Sequence, residues 1–451
     1  MHCLKIYIKE NNVVHIDDSK QPLVSSLLDD KKLIKCFDNV LKFGSKNGKI
    51  INKKNFSKDF IVLLLKCRFL FDKYIIKREY INEKKDGDWS LKEFHVSCQD
   101  GKNNLRPYFT KTVFPGQKEN NRDFCDENLM IQAAMRVSYT SPKIMHWITY
   151  LLNWLYEDNE LEKYNIAAED YVRKNILNDF FAQDNYAKLG VKTPHIVFNY
   201  LDYLIWKPNQ KKYEWKADNK NAFTFEFRTS VEHWYPQHPN EKEGILAWDD
   251  VDRFGNLCII QRNINSRFSN QSPKAKKTDN SNEITKGSLK LRSMASIMEY
   301  HTNDEWKNSE CEKHELKMLE ILKKDCYSYS HLWNLLCNDL SQEYAFKNSN
   351  ISSYDVLAKE LKKQEYIYLR YCEDHFEIGF VKYGGYNTNE KYKTKLRNKL
   401  DSMNFDKHVF KTISAIDTYR NKWIYKTFSI KECAYNSIYT EVSSMLTDLL
   451  S

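Results

Sequence analysis

The sequence predicts an α+β fold that is mainly helical. Only 12 glycines and 9 prolines occur among the 451 residues, which disfavours folds that depend on many tight turns. Apolar residues recur at helical spacing through much of the first half of the chain, whereas short strand-like segments occur near the centre and near the end. We therefore expect a mainly helical region over residues 1–205, a central unit containing two strands and a helix over 206–325, and a small C-terminal α/β domain over 326–451.

The N-terminal region contains four apolar segments that predict helices. The segment 57–76 is strongly apolar and predicts a buried helix. Segment 143–156 places apolar residues at helical spacing, and 167–181 and 195–206 show the same character. Between them, 84–106 is polar and predicts a loop or short strands.

The C-terminal part differs in character from the rest of the chain. Two aromatic segments separated by three polar residues predict a hairpin, with helices before it and after it. The expected helices are 316–322, 332–340, 391–403 and 433–450, and the expected strands are 366–372, 376–383 and 423–430. Aromatic strands can stack on nucleic-acid bases, although core packing is the commoner use.

Composition excludes several classes of protein. Aromatic residues make up 14% of the chain, which excludes a disordered chain. The 11 cysteines form no C-x-x-C pair, which argues against a thiolate zinc site and favours a reducing cytoplasm. No apolar run reaches about 18 residues, so a membrane span is not expected.

The densest chemical signal lies between Phe223 and Lys277. Residues 223–227 alternate apolar and polar side chains, which predicts a strand. This strand leads to Glu232 and His233, so an acidic side chain and an imidazole follow it closely.

A second apolar run, 257–260, follows Asn256 directly and predicts another strand. Asn265 comes nine positions after Asn256, where the pattern turns polar and a helix can begin. The expected order is strand, turn, strand, helix, with His233 at the end of the first strand and Asn265 at the start of the helix.

This arrangement suits phosphodiester hydrolysis, which needs a base, a divalent cation and positive charge near the phosphate. His233 is the candidate base, because a neutral imidazole can accept a proton near pH 7. Glu232 and Asn265 offer the oxygen ligands that Mg²⁺ or Mn²⁺ prefers. Other interpretations stay open: a hydrogen-bonded histidine without catalytic function, a turn residue for Asn256 and a helix N-cap for Asn265.

Positive charge is concentrated in the same stretch. The segment 253–292 contains nine Lys or Arg and two Asp or Glu, so it carries +7 of the chain total of +9. A nucleic-acid backbone would lie against such a segment. The predicted phosphate contacts are Arg253, Arg262, Arg267, Lys274, Lys276 and Lys277. The alternative is a solvated flexible loop, and we expect 269–288 to be mobile.

Three motifs in this stretch resemble those of the His-Me finger (HNH) nucleases. Within that group they are most similar to the nuclease domain of the GmrSD type IV restriction family, which cleaves modified DNA. The motifs are E-H-W-Y-P-Q at 232–237, R-F-G-N-L at 253–257 and N-I-N-S-R-F-S-N-Q-S-P-K at 263–274. Their order and spacing agree with the family pattern. Trp234 and Phe254 depart from it, because smaller aliphatic residues are usual there.

The resemblance implies a central ββα-metal (His-Me finger) core with named roles for four residues. His233 would be the general base, and Asn256 would fasten the loop between the two strands. Asn265 would bind the metal ion, and Glu232 stands where related nucleases carry an acidic metal ligand. The family's sensor motif D-G-Q-x-R is absent from the sequence. A nucleotide-dependent sensor would therefore be either a separate polypeptide or replaced in this chain.

The sequence thus predicts a cytoplasmic, Mg²⁺- or Mn²⁺-dependent DNA endonuclease that serves in restriction or anti-phage defence. Two alternatives remain at this point. One is an HNH-type RNase or toxin, because the motifs define the phosphodiester chemistry and not the sugar. The other is an inactive nucleic-acid-binding subunit of a defence complex.

Overall fold

Two structural units, each assembled from separate segments of the chain, make up the fold in the computed structural model. The first unit consists of Met1–Val172, Pro194–Asp252 and Asn256–Cys311, and the second of Arg173–Thr193, Arg253–Gly255 and Glu312–Ser451. The structure describes residues 1–16, 22–79, 87–98, 105–114, 122–182, 185–207, 223–239, 251–301, 305–351, 354–362, 364–371, 375–383, 385–386, 390–401, 410–412, 417–419, 422–430 and 435–450. The three-part division expected from the sequence stays a prediction.

The N-terminal half contains the predicted helices and several short strands. The helices are α1 (His2–Glu10), α2 (Leu33–Phe43), α3 (Lys53–Tyr74), α4 (Arg122–Ser138), α5 (His146–Tyr156), α6 (Tyr164–Asp179), α7 (Tyr186–Leu189) and α8 (His195–Trp206). The strands are β1 (Val14–His15), β2 (Gly44–Lys46), β3 (Lys49–Ile50), β4 (Lys77–Glu79), β5 (Asp88–Ser90), β6 (Lys92–Cys98) and β7 (Leu105–Lys111). Helices α3, α5, α6 and α8 confirm the four helices expected there.

Local chemistry explains where α3 begins and what it buries. The side-chain oxygen of Asn52 accepts hydrogen bonds from the backbone N–H groups of Lys54 and Asn55, which caps the helix. The helix buries an apolar stripe that includes Phe56 and Leu63. Close by in sequence, β6 and β7 form an antiparallel ribbon, so the polar segment 84–106 contains strands.

The central segment has the expected order of strand, strand and helix. It comprises β8 (Ser230–His233), β9 (Leu257–Ile260), α9 (Arg262–Phe268), α10 (Pro273–Asp279), α11 (Ser281–Thr285) and α12 (Leu289–His301), followed by α13 (Asn308–Cys326). The second predicted strand is confirmed as β9. All four of its side chains are buried.

The first predicted strand is misplaced, because 223–227 is irregular and β8 begins at Ser230. The backbone carbonyl of Phe225 accepts a hydrogen bond from the indole N–H of Trp89 at 2.7 Å. The Phe223 ring lies against the guanidinium groups of Arg228 and Arg292. The segment 223–227 is therefore contacted by side chains of other residues, although its alternating pattern predicts pairing with a strand.

The mobile loop predicted over 269–288 is also wrong, because α10 and α11 lie there. The Ser272 hydroxyl accepts a hydrogen bond from the backbone N–H of Ala275 at 3.3 Å, and Pro273 occupies the first helical position. A serine cap followed by proline favours a helix start. This local signal outweighs the low apolar content of the segment.

The second unit contains an antiparallel sheet. The elements are α14 (Tyr329–Tyr344), β10 (Lys347–Ile351), β11 (Tyr354–Lys362), β12 (Glu365–Tyr371), β13 (Phe376–Lys382), α15 (Glu390–Asp401), β14 (Phe410–Thr412), β15 (Asp417–Tyr419), β16 (Trp423–Ile430) and α16 (Tyr435–Leu450). The strand order in the sheet is β10-β11-β12-β13-β16-β14, and β15 also pairs with β16. The predicted hairpin is β12–β13. The expected α/β character is corrected to α+β, because every described strand pair of this sheet is antiparallel.

An ion pair ties the earlier segment of the second unit to the later one. The guanidinium of Arg173 donates from Nε and Nη2 to the two carboxylate oxygens of Asp325, at 2.7 and 2.8 Å. Lys174 bonds Asp339 at 2.8 Å. These bidentate and single contacts hold Arg173–Thr193 against residues far along the chain. No helix among the described residues is long and apolar enough to cross a membrane.

Candidate active site

The β8–β9 pair sets the direction in which the predicted site residues point. Glu232 lies opposite Cys258, and His233 lies opposite Leu257. Successive side chains of a strand leave opposite faces, so Glu232 and His233 project to different sides of the ribbon. The predicted base and the predicted acidic ligand are therefore adjacent in sequence but have different surroundings.

His233 forms a short contact with a carboxylate that the motif reasoning missed. The Nε2 atom of His233 lies 2.6 Å from Oδ1 of Asp252. The side-chain amide of Gln237 donates to the same oxygen at 3.2 Å. His233 is almost completely buried, whereas about half of the Asp252 side chain is exposed (48%). The imidazole is thus held by a carboxylate at the rim of the site. The available signal was the position of Asp252 directly before the R-F-G-N-L motif.

Asn256 bonds backbone groups that lie after β8 and before β9. Its side-chain oxygen accepts from the backbone N–H of Tyr235 at 2.8 Å and from the indole N–H of Trp306 at 3.2 Å. Its side-chain N–H₂ donates to the backbone carbonyls of Tyr235 and Val251, each at 2.9 Å. The residue is completely buried, so these bonds satisfy the whole amide in the interior.

Glu232 forms an ion pair in the interior with a lysine that was expected on the surface. The Lys276 ammonium lies 2.9 Å from Oε1 of Glu232 and donates to the backbone carbonyls of His233 and Trp234 at 2.6 and 3.2 Å. Lys276 has no exposed surface, and burial lowers its pKa. This position corrects the expectation that Lys276 contacts phosphate, because the ammonium is enclosed by protein. The S-P helix start at Ser272 is the sequence signal that places it there.

Asn265 lies within α9 rather than at its cap. The N-cap position belongs to Gln261, so the N-cap interpretation of Asn265 is wrong. The Asn265 side-chain N–H₂ donates to the hydroxyl of Ser230 at 2.8 Å. Ser230 and Glu232 are two residues apart on β8 and share a face, so Asn265 lies on the Glu232 side of the ribbon.

The two predicted cation ligands, Glu232 and Asn265, lie on the same face of the ribbon. Within the described part of the chain, Oε2 of Glu232 and Oδ1 of Asn265 have no hydrogen-bond partner. Burial raises the pKa of Cys258 to about 12, so this neighbour stays a thiol and is a poor ligand. No cluster of three His, Cys, Asp or Glu side chains suited to a metal occurs among the described residues. A cation here would need water and phosphate oxygens to complete its shell, as Mg²⁺ commonly does.

The other predicted phosphate contacts differ in availability. Arg262 and Lys274 are exposed. Arg267 is exposed and bonded to Glu283, and Lys277 lies 4.0 Å from Glu299.

Arg253 belongs to the second unit, where its guanidinium bonds Glu312 at 2.7 Å and Glu315 at 3.2 Å. These carboxylates offset its charge. Among the described residues, Arg262 and Lys274 are thus the predicted contacts that are exposed and have no ion-pair partner, and their contact with phosphate stays a prediction.

The described geometry defines the class: an α+β protein in which a strand–strand–helix segment carries a histidine–carboxylate pair. Residues 171–321 match the family model described as GmrSD restriction endonucleases, C-terminal domain. This part, about a third of the chain, resembles that family and includes all three motifs. No curated protein and no solved structure matches the chain.

Proposed function

We propose that the chain is a divalent-metal-dependent endonuclease that hydrolyses phosphodiester bonds in DNA, in a restriction-type defence system. The observation that carries this proposal is the His233–Asp252 pair at the end of β8, inside the segment that matches the restriction endonuclease family. A histidine held by a carboxylate is equipped to take a proton from water. The defence role rests on the family name alone, and a separate nucleotide-dependent sensor stays a prediction.

In the proposed reaction, His233 accepts the proton of the attacking water. A water oxygen forms a bond to phosphorus while the bond from phosphorus to the leaving sugar oxygen breaks. The proton lost by the water goes to the imidazole of His233, and the leaving oxygen takes a proton from another water molecule. Asn256 has no part in the proton transfer, and it fixes the loop that follows the histidine.

Glu232 and Asn265 would hold a divalent cation on the face of β8 opposite to the His233 side chain. A phosphate that reaches both the cation and His233 would therefore lie at the end of β8, where the strand stops. When bound, the cation would stabilise negative charge on the phosphate and on the leaving oxygen. The positive charge of the Lys276 ammonium lies beside Oε1 of Glu232 and offsets part of the negative charge of that carboxylate. Arg262 and Lys274 would contact phosphates of the backbone.

The proposal is tested by cleavage of plasmid DNA and of total RNA by wild type and His233→Ala. Loss of a general base typically lowers the rate about 100- to 10,000-fold. His238→Ala is the matched control, because His238 is an exposed histidine of the same segment. Cleavage by His233→Ala at the control rate would refute the base assignment. Cleavage of RNA alone would indicate a ribonuclease, and binding without cleavage of either would indicate an inactive subunit.

The cation requirement is tested by stripping the enzyme with EDTA and adding back single metals. Oxygen ligands favour Mg²⁺ or Mn²⁺ over Zn²⁺. Activity should therefore return with Mg²⁺ or Mn²⁺. Activity that returns with Zn²⁺ only would contradict the Glu232–Asn265 ligand pair.

A further inference from the structure

We infer that Asp252 is a positioning residue that fixes the tautomer and orientation of His233, so that Nδ1 is the atom that accepts the proton from water. This inference rests on the proposed function, because it assigns the atom through which the proposed base acts. It starts from the 2.6 Å contact between Nε2 of His233 and Oδ1 of Asp252. A contact this short is typical of a hydrogen bond to an ionised group.

The chemistry of the pair assigns the tautomer. A carboxylate can only accept a hydrogen bond, so a neutral imidazole facing it must carry its proton on Nε2. The lone pair then lies on Nδ1. Within the described part of the chain, His233 has no hydrogen-bond partner at Nδ1. The nitrogen available for accepting a proton is therefore Nδ1.

Asn256 controls the separation of the two partners. Its amide holds the backbone of Tyr235, two residues after His233, and the carbonyl of Val251, one residue before Asp252. One buried side chain thus joins the two chain segments that carry the pair. This explains how a half-exposed aspartate on a loop is held close to a buried imidazole.

The ion pair on the other face of the ribbon restrains the same histidine from its backbone. The Lys276 ammonium donates to the carbonyl of His233 at 2.6 Å. Asp252 restrains the ring, and Lys276 restrains the main chain that carries it.

The first test reads the tautomer directly and needs no activity. Nitrogen chemical shifts of ¹⁵N-histidine-labelled protein are measured near pH 8, and the signal of His233 is assigned by its loss in His233→Gln. Wild type should show the Nε2–H tautomer. In Asp252→Ala no side-chain acceptor is left at this position, and the preference for this tautomer should weaken or reverse. An unchanged tautomer would overturn the inference.

The second test measures cleavage kinetics. Asp252→Asn should lower kcat about 10- to 100-fold with little change in KM, which is less than the loss for a fully buried catalytic aspartate because Asp252 is half exposed. Asp252→Glu, which keeps the carboxylate, should recover part of the rate. Asp59→Asn, on the exposed side of α3, is the control for a general charge effect.

The two proposals fail in different ways. Full activity of Asp252→Asn combined with an inactive His233→Ala would remove the positioning role and leave the base assignment intact. Full activity of His233→Ala would remove the base assignment itself, whatever the tautomer of the ring.

Discussion

Replacement of Lys276 by methionine should destabilise the protein strongly, although the change removes one charge from a basic segment. The ammonium makes three contacts, with Oε1 of Glu232 and with the carbonyls of His233 and Trp234. Methionine preserves most of the volume of the lysine side chain beside Phe268. The variant therefore isolates the loss of the charge and its hydrogen bonds from the loss of packing.

The expected loss in the free energy of unfolding comes from the Glu232 carboxylate, which the substitution leaves without a partner. The Glu232 side chain is only 12% exposed, so its carboxylate would stay in the interior without its counter-charge. Breaking a buried ion pair by removing one partner typically costs about 3–5 kcal/mol. Lys274→Met changes an exposed lysine of the same helix and should cost less than about 0.5 kcal/mol.

Urea denaturation followed by tryptophan fluorescence and circular dichroism measures both variants. Adding Glu232→Gln to Lys276→Met should recover about 1–3 kcal/mol of the free energy of unfolding, because the unpaired carboxylate is then gone. Equal urea midpoints for Lys276→Met and Lys274→Met would refute the interior ion pair. They would also restore Lys276 as a candidate phosphate contact.

Three further perturbations test other parts of the structure. Asn256→Ala should lower the free energy of unfolding by about 3 kcal/mol in a urea titration, since it leaves buried backbone groups of the loop without partners; a loss below about 1 kcal/mol would contradict the buried amide. Burial raises the pKa of the Asp202 carboxyl to about 6 in the folded protein, above its value in the unfolded chain. The bound proton therefore stabilises the folded state fully below about pH 4, and this contribution is lost as the pH rises through 6. Asp202→Asn should thus gain up to about 3 kcal/mol relative to wild type between pH 4 and 7, and a constant difference across that range would refute the burial argument. Arg262→Ala combined with Lys274→Ala should flatten the slope of log affinity against log salt by up to about two units for unrelated DNA sequences. A loss confined to one sequence would mean that these two side chains read bases.

The sequence was sufficient where a local pattern determined the structure. Strand β9 has the predicted bounds because a short apolar run between polar residues has few other uses. Helix α8 also has its predicted bounds, and it is buried along almost its whole length. The fastening role of Asn256 came from the resemblance and stays a prediction, whereas its hydrogen bonds to Tyr235 and Val251 are seen only in the fold.

The sequence was insufficient where a partner lies far along the chain. A lysine in a basic run predicts a surface position, and only the fold reveals that Lys276 meets Glu232, which lies 44 residues earlier. The partner of His233 was missed for the same reason, since Asp252 lies 19 residues further along the chain. The strand expected at 223–227 is absent because side chains from far along the chain, Trp89 and Arg292, contact Phe225 and Phe223 there.

The interleaved order of the two units has a consequence for how the protein is made. Arg173 leaves the ribosome well before its partner Asp325, which is 152 residues further along. Until then, the segment Arg173–Thr193 has been synthesised but cannot form this ion pair, and folding that waits for distant contacts is slow. A gene divided after His301, where α12 ends, would place Arg173 and Asp325 on different polypeptides. Separate expression of the two halves should then yield aggregation-prone fragments, whereas their co-expression should restore a soluble complex.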